Sequence, residues 1–225
     1  MNIIKTVNNS EYKFILASNS PRRKELLKMI GIEFEVFPAN IDENISEYND
    51  FGDYVSKLSK MKANHIKNIF IEKQQNGKYL ILAADTIVVI NNVVLNKPED
   101  ADDAFKMLSL LSNDTHQVYT GFCLIDLVIG RDDYKKSNNS NNSYENIISN
   151  FEVTDVSFRQ LSDEEIYDYI ETGSPMDKAG AYGIQEDLGA VFVNKIVGDY
   201  YNVVGLPLQK VFVNLQKLFT PKSNN

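Results

Sequence analysis

The sequence predicts an α/β fold on three observations. Short apolar runs alternate with amphipathic helical stretches, the chain opens strand–helix–strand, and one pair of strands is joined by a tight Asn-Asn turn. The first run, FILAS from Phe14 to Ser18, is short and apolar enough for a buried strand. It meets NSPRRKELLKMIG, where Ser20 caps a helix, Pro21 takes its first position and Gly31 ends it. FEVFPA, from Phe34 to Ala39, alternates like a strand. Residues 53–69 place Val55, Leu58, Met61 or Lys62, and Ile69 at helical spacing. GKYLILAADTIVVINNVVL reads as two strands turning at Asn91-Asn92. Residues 98–111 open on Pro-Glu-Asp and align Ala101, Ala104, Phe105 and Leu108 on one helical face. TGFCLIDLVI and FEVTDVSF are strands, and the polar, Asn/Ser-rich insertion at about 131–150 between them is expected to be a flexible surface loop. LSDEEIYDYIETG is a helix with Ser162 as cap, Glu165 completing a capping box and Gly173 ending it. Residues 207–219 close the chain as an amphipathic helix.

Composition narrows the chemistry. The chain has 225 residues, 43% hydrophobic and 24% charged, an ordinary balance for a globular protein. A formal charge of −8 argues against coating a nucleic-acid polymer or an anionic membrane, since both rely on clustered Lys and Arg. No apolar stretch approaches a membrane span and the first residues lack a secretory h-region, so the expected compartment is the cytoplasm. Cys123 is the single cysteine, and His65 and His116 are the two histidines. Zinc chemistry and a Cys–His pair are therefore disfavoured, leaving carboxylates, hydroxyls, Lys, Arg or an oxygen-bound cation.

Several residues stand out on chemical grounds. In SNSPRRK a strand turns into a helix through Ser18 and Ser20, exposing main-chain N–H groups at a positive dipole end. Arg22 and Arg23 then fall in the first turn, where a structural helix favours acids; a bound polyphosphate would supply the countercharge. Asp85 lies within the apolar strand LILAADTIVVI. It either faces solvent from an edge strand or is a buried carboxylate able to hold Mg²⁺ and deprotonate water. Glu43, in the loop NIDENI, can add a second carboxylate to such a metal. Lys62 near its helix's apolar seam and Lys97 in LNKPED are individually weak signals that gain weight together, because a polyphosphate needs several cations. Six of the eleven glycines fall between Gly173 and Gly205, a density that suggests close backbone approach. That tract carries Lys178 as a candidate substrate contact and Gln185, whose amide suits a base edge, as Thr86 beside Asp85 suits a base or sugar.

Taken in order, LASNSPRRKELL, the IDE of residues 41–43, AADTIVV, LNKPEDADDAFKMLSLL, THQVYTG, VSFRQLSDEEIYDYIETGSPMDKAGAYGIQ and GDYYNVVGLPL resemble the motifs of the Maf-like nucleotide pyrophosphatase family. The resemblance spans nearly everything outside the Asn-rich insertion and the termini. It implies one elongated α/β domain over residues 1–225, with a central mixed β-sheet, helices packed on it and a cleft between two lobes, allied in fold to inosine triphosphate pyrophosphatases. It further implies hydrolysis of a nucleoside triphosphate between the α- and β-phosphates, with a divalent cation (Mg²⁺ or Mn²⁺), by a homodimer. By motif position Asp85 matches the family's proton acceptor, and Glu43, Lys62 and Lys97 match its polar cleft positions. Arg22, Thr86 and Gln185 match positions that set base preference. SPRR, ADT and GIQ together resemble the branch acting on dTTP and UTP. The alternatives are the same reaction on 7-methyl-GTP or non-canonical purine triphosphates, and a non-catalytic nucleotide-binding regulator of cell division. Departures from the family pattern are Asn96 where a Gly usually precedes the lysine, a longer turn after GIQ, and the Asn-rich insertion.

Overall fold

A computed structural model describes residues 2–130, 143–186 and 188–220. In chain order the elements are α1 (Ile3–Asn8), β1 (Tyr12–Leu16), α2 (Pro21–Met29), β2 (Glu35–Val36), α3 (Phe51–Glu72), β3 (Gly77–Ile90), β4 (Val93–Leu95), α4 (Ala101–Leu111), β5 (Thr115–Ile129), β6 (Ser143–Phe158) and α5 (Asp163–Glu171). Two 3₁₀ turns, Ser174–Asp177 and Ala179–Ala181, lead to α6 (Gly189–Phe192), β7 (Val193–Val197), α7 (Tyr200–Val204) and α8 (Leu208–Phe219). Strand order is β2-β1-β3-β5-β6-β7, with β4 also on β3. β1 runs parallel to β2 and β3, while β3–β4 and β6–β7 are antiparallel, so the sheet is mixed as expected for this α/β chain.

The chain divides into two compact units and passes between them after Asp85, Thr120, Asn150 and Gly205. In the first unit, period-2 alternation sends Ile15 and Ala17 of the β1 region, Tyr79, Ile81 and Ala83 of β3, and Cys123, Ile125, Leu127 and Ile129 of β5 into one core. The stripe Ala63, Ile66 and Phe70 of α3 completes that core at helical spacing. The alternate residues Leu80 and Leu82 are also buried, so these strands are covered on both faces and read as continuous apolar runs. α1 and α8 pack together in the same unit, burying Ile3, Val7, Leu208, Val211 and Leu215. α2 begins as its sequence requires: the Ser20 hydroxyl accepts from the Arg23 N–H at 3.4 Å, Pro21 follows, and Gly31 takes a left-handed φ of 78° beyond the end.

The second unit is organised around an aromatic cluster. His116, Phe158, Tyr182 and Phe192 meet edge to face, and the buried Tyr169 ring joins them through Phe192. The β3–β4 hairpin turns on Asn91 and Asn92 at φ 51° and 62°, the left-handed pair that such a two-residue turn demands. α5 carries the full expected capping box between Ser162 and Glu165.

Two elements differ from expectation. β2 is confined to Glu35–Val36 because the Phe37 N–H still reaches the Leu16 carbonyl at 3.0 Å but Pro38 has no N–H to continue the ladder. β6 begins at Ser143, inside the span expected to be loop: Ile147 packs against the first unit's core and Glu145 pairs with Lys67 at 2.8 Å. Residues 131–142 of the insertion lie outside the described residues.

His116 is 1% exposed and its Nε2 shares a hydrogen bond with the Tyr182 hydroxyl at 2.8 Å. Burial pulls its pKa from 6.5 down to about 4, with Asp114 pulling the other way. The unfolded chain therefore takes up this proton first, so the stability tied to the neutral ring is complete above pH 6.5 and drains as pH falls towards 4. The drain amounts to about 3 kcal/mol at ~1.4 kcal/mol per pH unit. Urea-unfolding free energies measured across that pH range should fall by about this amount more in the parent protein than in His116→Gln.

Candidate functional site

The first unit gathers most of the residues singled out in the sequence. Alternation along β3 puts Asp85 on the face already taken by Tyr79, Ile81 and Ala83, the face that packs on α3. On α3, Lys62 stands one turn before Ile66 and so continues the buried stripe. The two meet as an ion pair, Lys62 Nζ to Asp85 Oδ1 at 2.6 Å, each residue 9% exposed. β3 has β1 on one side and β5 on the other, so Asp85 is not on an edge strand. Glu43 brings a second carboxylate to the same ammonium, Oε1 at 2.9 Å, from a loop that leaves it half exposed.

Around this centre sits the start of α2. The buried Ser18 hydroxyl accepts from the Ser20 N–H at 3.2 Å and from the Arg23 guanidinium at 3.1 Å. Burial presses the Arg23 pKa downward and Arg22 adds to that pressure, while the charges of Asp85 and Glu43 oppose it. Arg23 thus lies within electrostatic reach of both carboxylates. So does the Tyr54 hydroxyl, whose pKa is raised first by burial and then by Asp85, Tyr48 and Glu43. Arg23 and Lys62 lie within electrostatic reach of the two carboxylates, and Arg22 within reach of Arg23, beside a helix N-terminus with no acid in its first turn. A basic helix start of this kind suits an anion.

The same geometry bears on a divalent metal. Among the described residues no three His, Cys, Asp or Glu side chains converge as a metal cage. Asp85 and Glu43 do converge, through one ammonium, and a pair of carboxylates is what Mg²⁺ uses when phosphate oxygens and water complete its shell. The donor set fits a metal of that kind.

The remaining expected residues belong to the second unit. Thr86, next in the chain after Asp85, has its hydroxyl 3.0 Å from that of Thr120. Lys97 is exposed in the loop after β4, and the Asn96 carbonyl before it accepts from the Gly180 N–H at 3.1 Å. That contact ties the LNKP loop to the glycine-rich tract. Gly180 has φ 68°, and a Cβ there would press on Val88 at 2.9 Å, so both conformation and space require glycine. Lys178 is 5% exposed, and its ammonium is spent inside the tract on the Ser174 carbonyl (2.7 Å), Asp177 (2.8 Å) and Glu186 (3.2 Å). Its stem runs over Gly183, where a Cβ would come within 2.6 Å. Gln185 sits exposed on the turn that this clasp holds.

Four residues that matter to this geometry escaped the sequence reading. Tyr54 reads as one more apolar position of a helix. Thr120 and Asn202 read as a strand residue and a loop residue. Gly121 could have been found, because a glycine inside a strand signals close backbone approach. A Cβ there would overlap the Val55 carbonyl and lie 2.7 Å from the Ser56 N, so Gly121 is what lets α3 settle on the sheet near Lys62.

These features describe an α/β protein with a buried carboxylate–ammonium centre beside an arginine-bearing helix start. The Maf-like protein family model matches residues 13–218, and the chain belongs to that family. It is similar to a dTTP/UTP pyrophosphatase of Caldicellulosiruptor bescii, 44% identical over 206 residues that cover 92% of this chain and 94% of the relative. A dTTP/UTP pyrophosphatase of Clostridium perfringens is 45% identical over 206 residues, covering 91% and 96%. Another, of Thermosipho melanesiensis, is 49% identical over 198 residues, covering 88% and 93%. No helix among the described residues is long and apolar enough to cross a membrane.

Replacing Lys62 with Met should strand two carboxylates and cost about 3 kcal/mol of unfolding free energy at neutral pH, the usual scale for breaking a buried pair from one side. Adding Asp85→Asn to Lys62→Met should recover part of that loss, and a double-mutant cycle in urea reads the coupling directly.

Proposed function

We propose that this protein hydrolyses nucleoside triphosphates between the α- and β-phosphates, releasing a nucleoside monophosphate and pyrophosphate, with dTTP and UTP as its substrates. The observation that carries the reading is the Asp85–Lys62–Glu43 centre beside Arg22 and Arg23: a fixed carboxylate, a second acid and a basic helix start. The names of the relatives, similar along nearly their whole length, support the choice of dTTP and UTP.

Asp85 orients a water and takes its proton as the water oxygen bonds to the α-phosphorus. The bond from that phosphorus to the bridging oxygen breaks, and the electron pair leaves with pyrophosphate. Lys62 holds the Asp85 carboxylate in one orientation, since its ammonium engages Oδ1. Arg22, Arg23, Lys97 and the main-chain N–H groups after Ser18 and Ser20 bind the triphosphate and offset the charge that grows on the leaving group. Asp85 and Glu43 would hold a Mg²⁺ or Mn²⁺ ion, which would supply further positive charge against that of the triphosphate. Thr86 and Gln185 read the base. Lys178 holds the turn on which Gln185 sits and contributes to substrate binding through it. A homodimer in the cytoplasm is the setting we assign, and light scattering tests its oligomeric part.

A panel of nucleoside triphosphates assayed for pyrophosphate release, with and without a divalent cation, tests the reading. UTP and dTTP should be turned over best, and chelation of the metal should abolish turnover. Asp85→Asn should lower kcat by at least about 100-fold, the scale of a lost general base. Preference for 7-methyl-GTP or non-canonical purines would overturn the substrate assignment. Nucleotide binding without pyrophosphate release would favour the regulatory alternative.

A further inference from the structure

The loop that carries Glu43 is fastened along α3 by a run of contacts in antiparallel register. Glu43 reaches Lys62 at 2.9 Å. The Glu47 carbonyl accepts from the Lys57 ammonium at 2.9 Å. Tyr48 packs edge to face on Tyr54, with ring centroids 4.9 Å apart. The Asp53 carboxylate accepts from the Asn49 N–H at 2.9 Å and from the Asn49 side-chain amide at 3.1 Å. Asp50 then caps the helix, accepting from the Asp53 N–H at 2.8 Å. Loop numbers rise as helix numbers fall, so the segment lies back along the helix it leads into.

Two residues tie these contacts together. The Lys57 ammonium that holds the Glu47 carbonyl also pairs with the Asp53 carboxylate, at 2.9 Å and one helical turn away. A single ion pair thus fastens the loop at both Glu47 and Asn49. The Asn49 N–H, and after it Lys57, hold the Asp53 carboxyl below its usual range, so the pair stays charged at neutral pH. An exposed pair of this kind adds little to stability. Its contribution here is to position.

Chain length does not supply that position. From Glu43 to Asn49 the chain can extend about 20 Å, whereas from Asp53 to Lys62 the helix rises only about 14 Å. The difference is slack, enough for Glu43 to leave Lys62 unless the loop is fixed elsewhere. Beside Glu43 the Asn44 N–H bonds to the Asp42 carboxylate at 3.1 Å, a local turn that shapes the backbone without placing it on the helix.

We infer that Lys57 and Asp53 are positioning residues: they hold the loop of residues 43–50 along α3 and so place the Glu43 carboxylate where a divalent cation can share it with Asp85. The inference rests on the proposed reading of Glu43 as a metal carboxylate. It goes beyond that reading by assigning the placement to two residues outside the centre itself.

Two readouts test it. The first is Mn²⁺ affinity, titrated by electron paramagnetic resonance in the presence of α,β-imido-UTP, whose bridging NH blocks hydrolysis. Lys57→Met should weaken Mn²⁺ binding about tenfold, the low end of what groups behind a metal ligand contribute. Lys57→Arg keeps a donor and should keep the affinity. In a Glu43→Gln background, Lys57→Met should cause no further loss. The second readout is hydrogen exchange, in which the amides of residues 43–47 should lose protection in Lys57→Met while the urea-unfolding free energy stays close to that of the parent. A folded Lys57→Met that binds Mn²⁺ as the parent does overturns the inference, and so does an equal loss with and without Glu43. A Glu43→Gln protein that keeps the parent's Mn²⁺ affinity overturns instead the reading of Glu43 as a metal carboxylate, and amide exchange then decides whether Lys57 holds the loop. If Lys57→Met does not fold, Asp53→Ala takes its place in both measurements.

Discussion

The first unit depends on one interaction, the buried pair between Lys62 and Asp85. A carboxylate on an interior strand is tolerable only with a countercharge, and a lysine inside a helix's apolar stripe only with an acid to meet it. Each satisfies the other at 2.6 Å. The pair in turn constrains its surroundings. α3 must approach the sheet closely enough for Lys62 to reach Asp85 with most of its stem buried, and Gly121 provides that approach by having no side chain under Val55. Glu43 then joins from a loop, so the ammonium organises two acids whose mutual repulsion would otherwise drive them apart. Replacing a buried pair by well-packed apolar residues is often neutral for stability, so such a pair is weak evidence of a purely structural role.

The second unit solves a different problem with neutral groups. Its network of Val118, Thr120, Thr154, Asp199 and Asn202 contains a single side-chain amide and two hydroxyls, which donate to carbonyls and to one another. Leaving the Asn202 Oδ1 unsatisfied costs on the order of 1–3 kcal/mol. That cost is compatible with a network whose order matters more than its economy. Lys178 provides a charged counterpart: a nearly buried ammonium serves as an internal clasp for the glycine-rich loop.

Much of this was legible in the sequence, and the parts that were not share a physical reason. Caps and turns are local, so Ser20, Gly31, Asn91-Asn92 and the Ser162–Glu165 box could be placed from neighbouring residues alone. Asp85 was legible because a charge in an apolar strand is locally anomalous, and its importance did not depend on knowing its partner. That the partner is Lys62 was not, because alternation on β3 and helical spacing on α3 must be combined with a packing geometry that neither segment encodes by itself. β6 reaches further back than its apolar run because Ile147 and Glu145 find their partners, the first unit's core and Lys67, far away in sequence. Thr120 and Asn202 were invisible for the same cause: 82 residues separate the two ends of their hydrogen bond. The family resemblance supplies roles for single positions, but not the contacts that hold those positions.

The two units differ in the kind of interaction they present. Phosphates are recognised by charge, which is strong, long-ranged and weakly directional, and the first unit offers cations at a helix start despite a formal charge of −8 on the chain as a whole. A net negative charge opposes the approach of polyanions in general, so an anion is held only where cations are gathered locally. Bases differ from one another by the placement of donors and acceptors, and charge cannot tell uracil from cytosine. Directional hydrogen bonds can, provided their protons are held in one order. A hydroxyl free to rotate would donate to cytosine as readily as it accepts from uracil. Thr86 carries such a hydroxyl, and its 3.0 Å contact with Thr120 is one of the directional bonds of the second unit.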